Sequence, residues 1–244
     1  MKNFLKKQRD ILRGTLQLIY PARCPVCDEI ITQSGERICA ECMDKLRLLT
    51  PPYCMRCGRK TSAGEELCGE CREKKHFFDR GRALYEYSSA AEAIYRFKYG
   101  GRREYAEFFG EQIADYLGSF IRNTGAEGIV PIPLHKNRKR VRGFNQAELM
   151  AEALGRRTGI PVYPKMLVRV RNTKPQKTLN PEERQNNLKK AFNMGQNDVK
   201  LKVIIIIDDI YTTGTTIDEA AKVLKEAGAE KVYFVTLACG AGIM

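Results

Sequence analysis

The segment from Val203 to Thr216, Val-Ile-Ile-Ile-Ile-Asp-Asp-Ile-Tyr-Thr-Thr-Gly-Thr-Thr, constrains the fold more than any other part of the chain. Its leading residues are β-branched and apolar with no polar alternation, the pattern of a strand covered on both faces in a parallel sheet. Ile217, Ala220, Ala221 and Leu224 then recur at helical spacing, and Gly228 supplies a stop. Strand, acidic pair, hydroxyl-rich turn and helix therefore follow in direct succession. Ligands of open parallel sheets bind at the carboxyl ends of strands, where a helix N-terminus offers free N–H groups to phosphate.

Two complementary devices sit side by side in this segment. Thr212, Thr213, Gly214, Thr215 and Thr216 can wrap a phosphomonoester with backbone and hydroxyl donors, Gly214 allowing close approach. Asp208 and Asp209 can accept from the vicinal hydroxyls of a ribose or help to hold a divalent cation. The pattern resembles the phosphoribosyl pyrophosphate (PRPP) motif of the type I phosphoribosyltransferases. The alternative, an ordinary strand–turn–helix with a solvated acidic pair, leaves the joint placement of its parts unexplained. A Walker B strand also ends in acids, but the chain has no Gly-x-x-x-x-Gly-Lys-Ser/Thr, which argues against a P-loop ATPase.

Cysteine usage is the second strong constraint. Cys24/Cys27, Cys39/Cys42, Cys54/Cys57 and Cys68/Cys71 form four Cys-x-x-Cys knuckles in less than a quarter of the 244 residues. With no export signal, disulfides are disfavoured, and this spacing matches two tetrahedral zinc ions, each held by a quartet of thiolates. Knuckles one with two and three with four make the simplest pairing; an interleaved one stays open. Eight thiolate ligands and only His76 and His135 point to structural zinc, since catalytic zinc keeps an open position and commonly uses histidine. Few large apolar residues surround the knuckles, so metal must supply most of the folding free energy, on the order of 10 kcal/mol per site. Cys239, at the end of an apolar run, reads as a small buried hydrophobe.

The net charge of +13 and pI near 9.4 permit polyanionic partners without specifying one. No apolar run reaches the length of a membrane span and no secretory signal is visible, so cytoplasmic residence is expected. Three regions are expected: a basic amphipathic helix in residues 1–20, a double zinc ribbon in 21–76, and an α/β domain in 77–244. The amphipathic helix, Asn3 to Ile19, could adsorb to the inner face of an anionic membrane or pack on the protein's own body, and the second reading is preferred. From Arg82 onward strands and helices alternate, including a strand at Leu167 to Val170 and a helix at Pro181 to Leu188 capped by Asn180. Such alternation means a parallel sheet flanked by helices.

A second basic element follows the strand at Gly128 to Pro133. Lys136, Arg138, Lys139, Arg140 and Arg142 crowd a predicted loop with no acid among them. Guanidinium forks there suit a pyrophosphate, whereas a solvated charge run would need no particular place. The knuckles, Phe97-Lys98-Tyr99-Gly100, Val130 to Leu134 with Arg142-Gly143-Phe144-Asn145-Gln146-Ala147-Glu148, Thr173-x-x-Gln176 with Arg184-x-x-Asn187, and the Asp208-Asp209 motif together resemble the ComF family. The likeness runs from Pro21 nearly to the end of the chain.

That resemblance implies an α/β, type I phosphoribosyltransferase-like domain with a small N-terminal zinc-ribbon module. It also implies a role in natural transformation, with PRPP, magnesium and single-stranded DNA as ligands and a helicase-like ATPase as partner. The threonine loop would hold the 5′-phosphate, and Asp208 and Asp209 the ribose. Arg142, its basic neighbours and Lys98 would face phosphate or pyrophosphate. Arg171, Lys174 and Arg184 would sit on a segment closing over the site or contact nucleic acid. Tyr211 is expected only to pack. No purine or orotate signature marks an acceptor, so a transferase of unknown acceptor and a non-catalytic nucleic-acid-binding accessory both stay open. A PRPP-sensing transcription regulator ranks behind them for want of a helix-turn-helix.

Overall fold

Val203–Tyr211 forms one of the two inner strands of the larger sheet, because Ile204 to Ile207 are all buried and need apolar cover on both faces. The computed structural model describes residues 21–32, 35–170, 191–195 and 199–240. These form two compact units, 1–45 and 46–244. The N-terminal helix expected for 1–20 and the helix expected at Pro181 to Leu188 lie outside the described residues.

In the first unit, Cys24 and Cys27 sit on a turn closed by an Arg23–Ile30 bridge, and helix α1 (Ala40–Met43) begins just after Cys39. In the second unit, Tyr53 pairs with Lys60 across the Cys54/Cys57 turn, and helix α2 (Gly69–Glu73) follows Cys68. The α/β part then runs β1 (Arg80–Glu86), α3 (Tyr87–Tyr99), α4 (Tyr105–Thr124), β2 (Gly128–Pro131), α5 (Lys136–Arg142), α6 (Gln146–Thr158), β3 (Leu167–Arg169), β4 (Phe192–Met194), β5 (Val203–Tyr211), α7 (Thr215–Glu226) and β6 (Lys231–Cys239).

Strands β1, β6, β5 and β2 form an all-parallel sheet in that order. Ile204, Ile206, Val232 and Phe234 face one side and share a buried cluster with Ile217, Ala220 and Leu224 of α7. By alternation Ile205, Ile207 and Val235 face the other side. Helices α4 and α6 pack against each other, and Gly110 permits their close approach: a Cβ there would lie 2.4 Å from the Ala153 methyl. The edge of β1 is covered by the residues after the first unit, through Leu49 N–H to Leu84 O (2.8 Å) and Glu86 N–H to Arg47 O (2.9 Å).

The structure departs from the sequence reading twice. The basic stretch 136–142, expected as a loop, is helix α5, with the His135 ring accepting from Asn137 N–H at 3.3 Å and Gly143 ending it. The strand expected at Leu167 to Val170 stays out of the parallel sheet. It pairs antiparallel with β4 in a separate two-stranded ribbon.

Asp79 fixes the entry to the sheet. It accepts from Lys225 Nζ (2.8 Å), Lys231 Nζ (3.1 Å) and Val232 N–H (2.9 Å). Burial alone would raise its carboxyl, but these donors outweigh burial and hold it below the usual carboxylate range. Asp79→Asn is therefore expected to cost about 1–2 kcal/mol at neutral pH. A depressed carboxyl stabilises above its unfolded pKa and loses that contribution as pH falls through its folded pKa. Urea unfolding of both proteins should show the gap closing on acidification below about pH 4; a constant gap would refute the charge-based account.

Candidate functional site

At the carboxyl end of β5 the acidic pair, the threonine turn and α7 follow without interruption. Asp209 N–H donates to Asp208 Oδ1 at 2.8 Å, which orients the first carboxylate. Gly214 stands at the helix N-cap with φ +69°, so the turn adopts a conformation that glycine alone takes without strain. The hydroxyls of Thr213 and Thr215 meet at 2.9 Å. Beneath the turn, Tyr211 is buried, its ring stacked on Phe234 at 4.9 Å. It packs as expected.

The strand–loop–helix after β2 supplies the opposing wall. Asn145 Nδ2 donates to Ile132 O (3.0 Å) while its Oδ1 accepts from Ala147 N–H (3.2 Å), tying the loop to the start of α6. Gln146 is buried, donates to Phe97 O (3.2 Å) and accepts from Arg142 (3.2 Å). The Arg-Gly-Phe-Asn-Gln run is thus a brace that aims Arg142 and anchors the end of α3. Arg142 also donates to the Tyr99 hydroxyl at 3.1 Å and lies over its ring at 4.8 Å. From α3, Lys98 Nζ pairs with Asp209 Oδ1 at 2.9 Å.

These parts line one cavity of about 290 Å³, with Lys98, Arg138, Arg142, Asp208, Asp209, Thr212 and Thr216 in its wall. Sequence reasoning singled out each of those seven. It assigned no place in the cavity wall to Arg169, Tyr87, Tyr99 or Gly240, which also line it. Arg169 sits on the three-residue strand β3, too short to show a pattern. Of the remaining basic residues, Lys139 bridges to Glu148 (3.0 Å), and Lys136 and Arg140 are exposed on α5 outside the wall. Arg171, Lys174, Arg184, Thr173, Gln176 and Asn187 lie outside the described residues.

Electrostatics give the cavity a preference. Burial and the adjacent Asp209 push the Asp208 carboxyl up to about 7, against the pull of its Asp209 N–H bond, Lys98 and Arg169. Burial and the nearby Arg138 push Arg169 down to about 10, and burial with Arg142 lowers Arg138. Four cations (Lys98, Arg138, Arg142, Arg169) therefore face two carboxylates in a partly desolvated space. A ligand carrying several negative charges would relieve the crowding among the guanidinium groups.

The cysteines form two tetrads, Cys24/Cys27/Cys39/Cys42 and Cys54/Cys57/Cys68/Cys71, each with its sulfurs within 4.8 Å of one another. This is the simpler pairing. Sγ–Sγ distances of 3.6 Å (Cys27–Cys39) and 3.7 Å (Cys57–Cys68) suit the edge of about 3.8 Å that tetrahedral zinc with bonds of about 2.3 Å requires. Converging thiols also contest their protons: hydrogen bonds from Cys57 and Cys71 hold Cys54 far below the usual thiol range. The donor set fits two structural zinc ions.

Fold and site together define a phosphoribosyltransferase domain joined to a zinc ribbon. Residues 15–72 match the double zinc ribbon domain and residues 141–242 the phosphoribosyl transferase domain. The chain is similar to competence protein ComFC of Bacillus subtilis, 31% identical with 86% of this chain and 91% of the relative covered. It is similar to competence protein F of Haemophilus influenzae at 28% identity, covering 88% and 96%. It is also similar to DNA utilization protein YhgH of Escherichia coli K12, at 29% identity over 88% and 96%. The chain belongs to the ComF family. Among the described residues no helix is long and apolar enough to cross a membrane.

Proposed function

We propose that the cavity binds PRPP with Mg²⁺ and that the protein also binds single-stranded DNA, acting in the cytoplasm during DNA uptake in natural competence. One observation carries the first part: the acidic pair, the threonine turn and four cations converge on one cavity at the carboxyl edge of a parallel sheet. Thr212 to Thr216 would take the 5′-phosphate, Asp208 and Asp209 the ribose hydroxyls, and Arg138, Arg142 and Arg169 the pyrophosphate. Lys98, paired to Asp209, would hold that carboxylate oriented. Magnesium would supply charge neutralisation at the pyrophosphate.

The DNA reading rests on two supports. Relatives named for competence and DNA utilization span nearly the whole chain. Tyr99, in the cavity wall with Arg142 of α5 over its ring, is exposed beside the exposed Tyr95, the ring centroids 4.9 Å apart. Aromatic planes flanked by cations suit unstacked bases and phosphates. A helicase-like ATPase as partner follows from the family resemblance; for residues 1–20, packing on the protein's own body is the preferred reading and adsorption at the inner membrane face the alternative. A transferase of unknown acceptor is the second reading. It is favoured by Tyr87, Tyr99 and Leu134 in the cavity wall, which give that wall apolar surface suited to an acceptor.

Calorimetry tests the pocket. Mg²⁺–PRPP is expected to bind wild type, and a Thr212→Ala/Thr213→Ala variant is expected to bind at least tenfold more weakly. Equal heats in both proteins would overturn the assignment. Time-dependent pyrophosphate release, lost in Asp208→Ala/Asp209→Ala, would select the enzyme. DNA gel-shift affinity should fall with salt at about −0.7 per phosphate contacted, and salt-insensitive or absent binding would refute the DNA reading.

A further inference from the structure

The second tetrad lies in the same compact unit as the threonine turn and shares a buried cluster with the residues on either side of it: Cys54, Cys57, Cys68 and Cys71 group with Phe78, Tyr211, Ile217 and Phe234. Arg59 makes the polar connection. Its own carbonyl accepts from Cys54 N–H at 2.7 Å within the first knuckle of this tetrad. Its side chain, only 11% exposed, leaves the ribbon and divides its donors. Nη1 pairs with Glu70 Oε2 at 3.1 Å, and Glu70 lies between Cys68 and Cys71. Nη2 donates to the carbonyl of Thr212, the first residue of the turn. Both members of the Arg59–Glu70 pair therefore stand inside the metal quartet, and what they hold is the phosphate loop.

A second tether reaches the far side of the loop. Asp218, buried in the first turn of α7, accepts from Phe77 N–H (2.9 Å), meets His76 Nδ1 at 2.6 Å and pairs with Lys74 Nζ at 3.5 Å. Those three residues lie within six positions after Cys71. Between the tethers, the Tyr211 hydroxyl is buried with no hydrogen-bond partner, where a Cβ on Gly214 would meet it at 2.5 Å. The turn is thus wedged from below and pinned at both ends by one short ribbon. That ribbon contains a single five-residue helix, α2. A segment so short takes its order largely from the metal.

We propose that the second tetrad acts as an effector site for the loop. Metal held by Cys54, Cys57, Cys68 and Cys71 fixes, through Arg59 and Asp218, the conformation in which Thr212 to Thr216 receive a phosphomonoester. Occupancy of either site then strengthens the other, because coupling between two binding equilibria is reciprocal. Arg59 is a positioning residue, touching the loop backbone and not the ligand. The proposal rests on the reading of Thr212 to Thr216 as a phosphate loop, while its structural half can be read without any ligand.

The test compares full-length wild type with Arg59→Met, Arg59→Lys and the control Arg72→Ala, which breaks only the exposed Arg72–Glu65 pair of the same ribbon. Amide hydrogen exchange of residues 211–218, chelator-driven zinc release and Mg²⁺–PRPP calorimetry are read on each. Arg59→Met is expected to speed exchange at the loop and to weaken PRPP binding roughly 10–100-fold, within the usual range of coupling. Arg59→Lys should fall between, since a point donor cannot serve Glu70 and Thr212 with a fork. Arg72→Ala should match wild type. In wild type, saturating PRPP should slow zinc release from the second tetrad, an effect Arg59→Met abolishes. Unchanged exchange and affinity in Arg59→Met would overturn the proposal. So would zinc release from wild type that ignores PRPP while PRPP binds, a readout that survives even if the Met variant fails to fold. If wild type binds no PRPP but Arg59→Met still loosens the loop, the clamp stands and the ligand assignment falls.

Discussion

Gly214→Ala is expected to weaken Mg²⁺–PRPP binding by about 100-fold or more while leaving zinc content and secondary structure intact. The residue has φ +69°, and the left-handed region costs an alanine about 1 kcal/mol. The steric obstacle is the larger effect. An alanine Cβ would fall 2.5 Å from the Tyr211 hydroxyl and 3.0 Å from its Cζ. Tyr211 cannot yield cheaply, because its ring lies 8° from parallel on Phe234 and edge-on to Phe78. The easier relief is for the turn to lift off Tyr211, carrying Thr215 and Thr216 away from the cavity. Each charge-assisted hydrogen bond so lost is worth roughly 1.5–3 kcal/mol, so losing one or two gives the stated range. Calorimetry beside circular dichroism separates the cases. Full affinity in a folded variant would mean that the turn does not grip the ligand.

The same neighbourhood shows which features a chain declares locally. Ile204 to Ile207 announced a buried parallel strand because both faces of the sheet are covered, which removes polar alternation from the sequence. The Asp208-Asp209 pair and the Thr212 to Thr216 turn were legible because their order along the chain is their order in space. The cysteine knuckles were legible for a chemical reason: no other residue type offers four thiolates at that spacing. By contrast, α5 reads as a charge run because it buries no residue of its own; its Val141 is 86% exposed. The helix is set by a histidine cap and by Gly143, weaker signals than an apolar face. Strand β3 was expected as a strand, but its antiparallel partner β4 was not, because the two pair only three residues each, too few for any period to show. Arg59 lay further out of reach. Its partner carbonyl is 153 residues away, and nothing beside it in sequence marks it as other than a ribbon surface cation.

Asp208→Asn is expected to make the protein more stable and to abolish its ligand binding, the signature of a group kept for function at the expense of the fold. Burial and Asp209 carry the Asp208 carboxyl from 3.8 to about 7, after the opposing pull of its Asp209 N–H bond, Lys98 and Arg169 is included. A carboxyl raised in the folded state destabilises wherever it is ionised. Above pH 7 the folded protein bears this penalty in full. As pH falls through 7 the folded form takes up a proton that the unfolded chain does not, and the penalty shrinks; well below pH 4 both forms are neutral and it vanishes. Asparagine keeps the shape and the acceptor for Asp209 N–H without the charge. After allowance for the residue's partial exposure, the gain at pH 8 is expected to be roughly 1–3 kcal/mol, seen as a rise of several degrees in Tm. The gain should decline steadily below pH 7 and reach zero only below about pH 4. Binding moves the other way, because a neutral amide beside Asp209 removes half of the negative charge available to a ribose and its metal. A variant less stable than wild type at pH 8 would show that Lys98 and Arg169 outweigh burial, and a variant that still binds Mg²⁺–PRPP at full strength would remove Asp208 from the site.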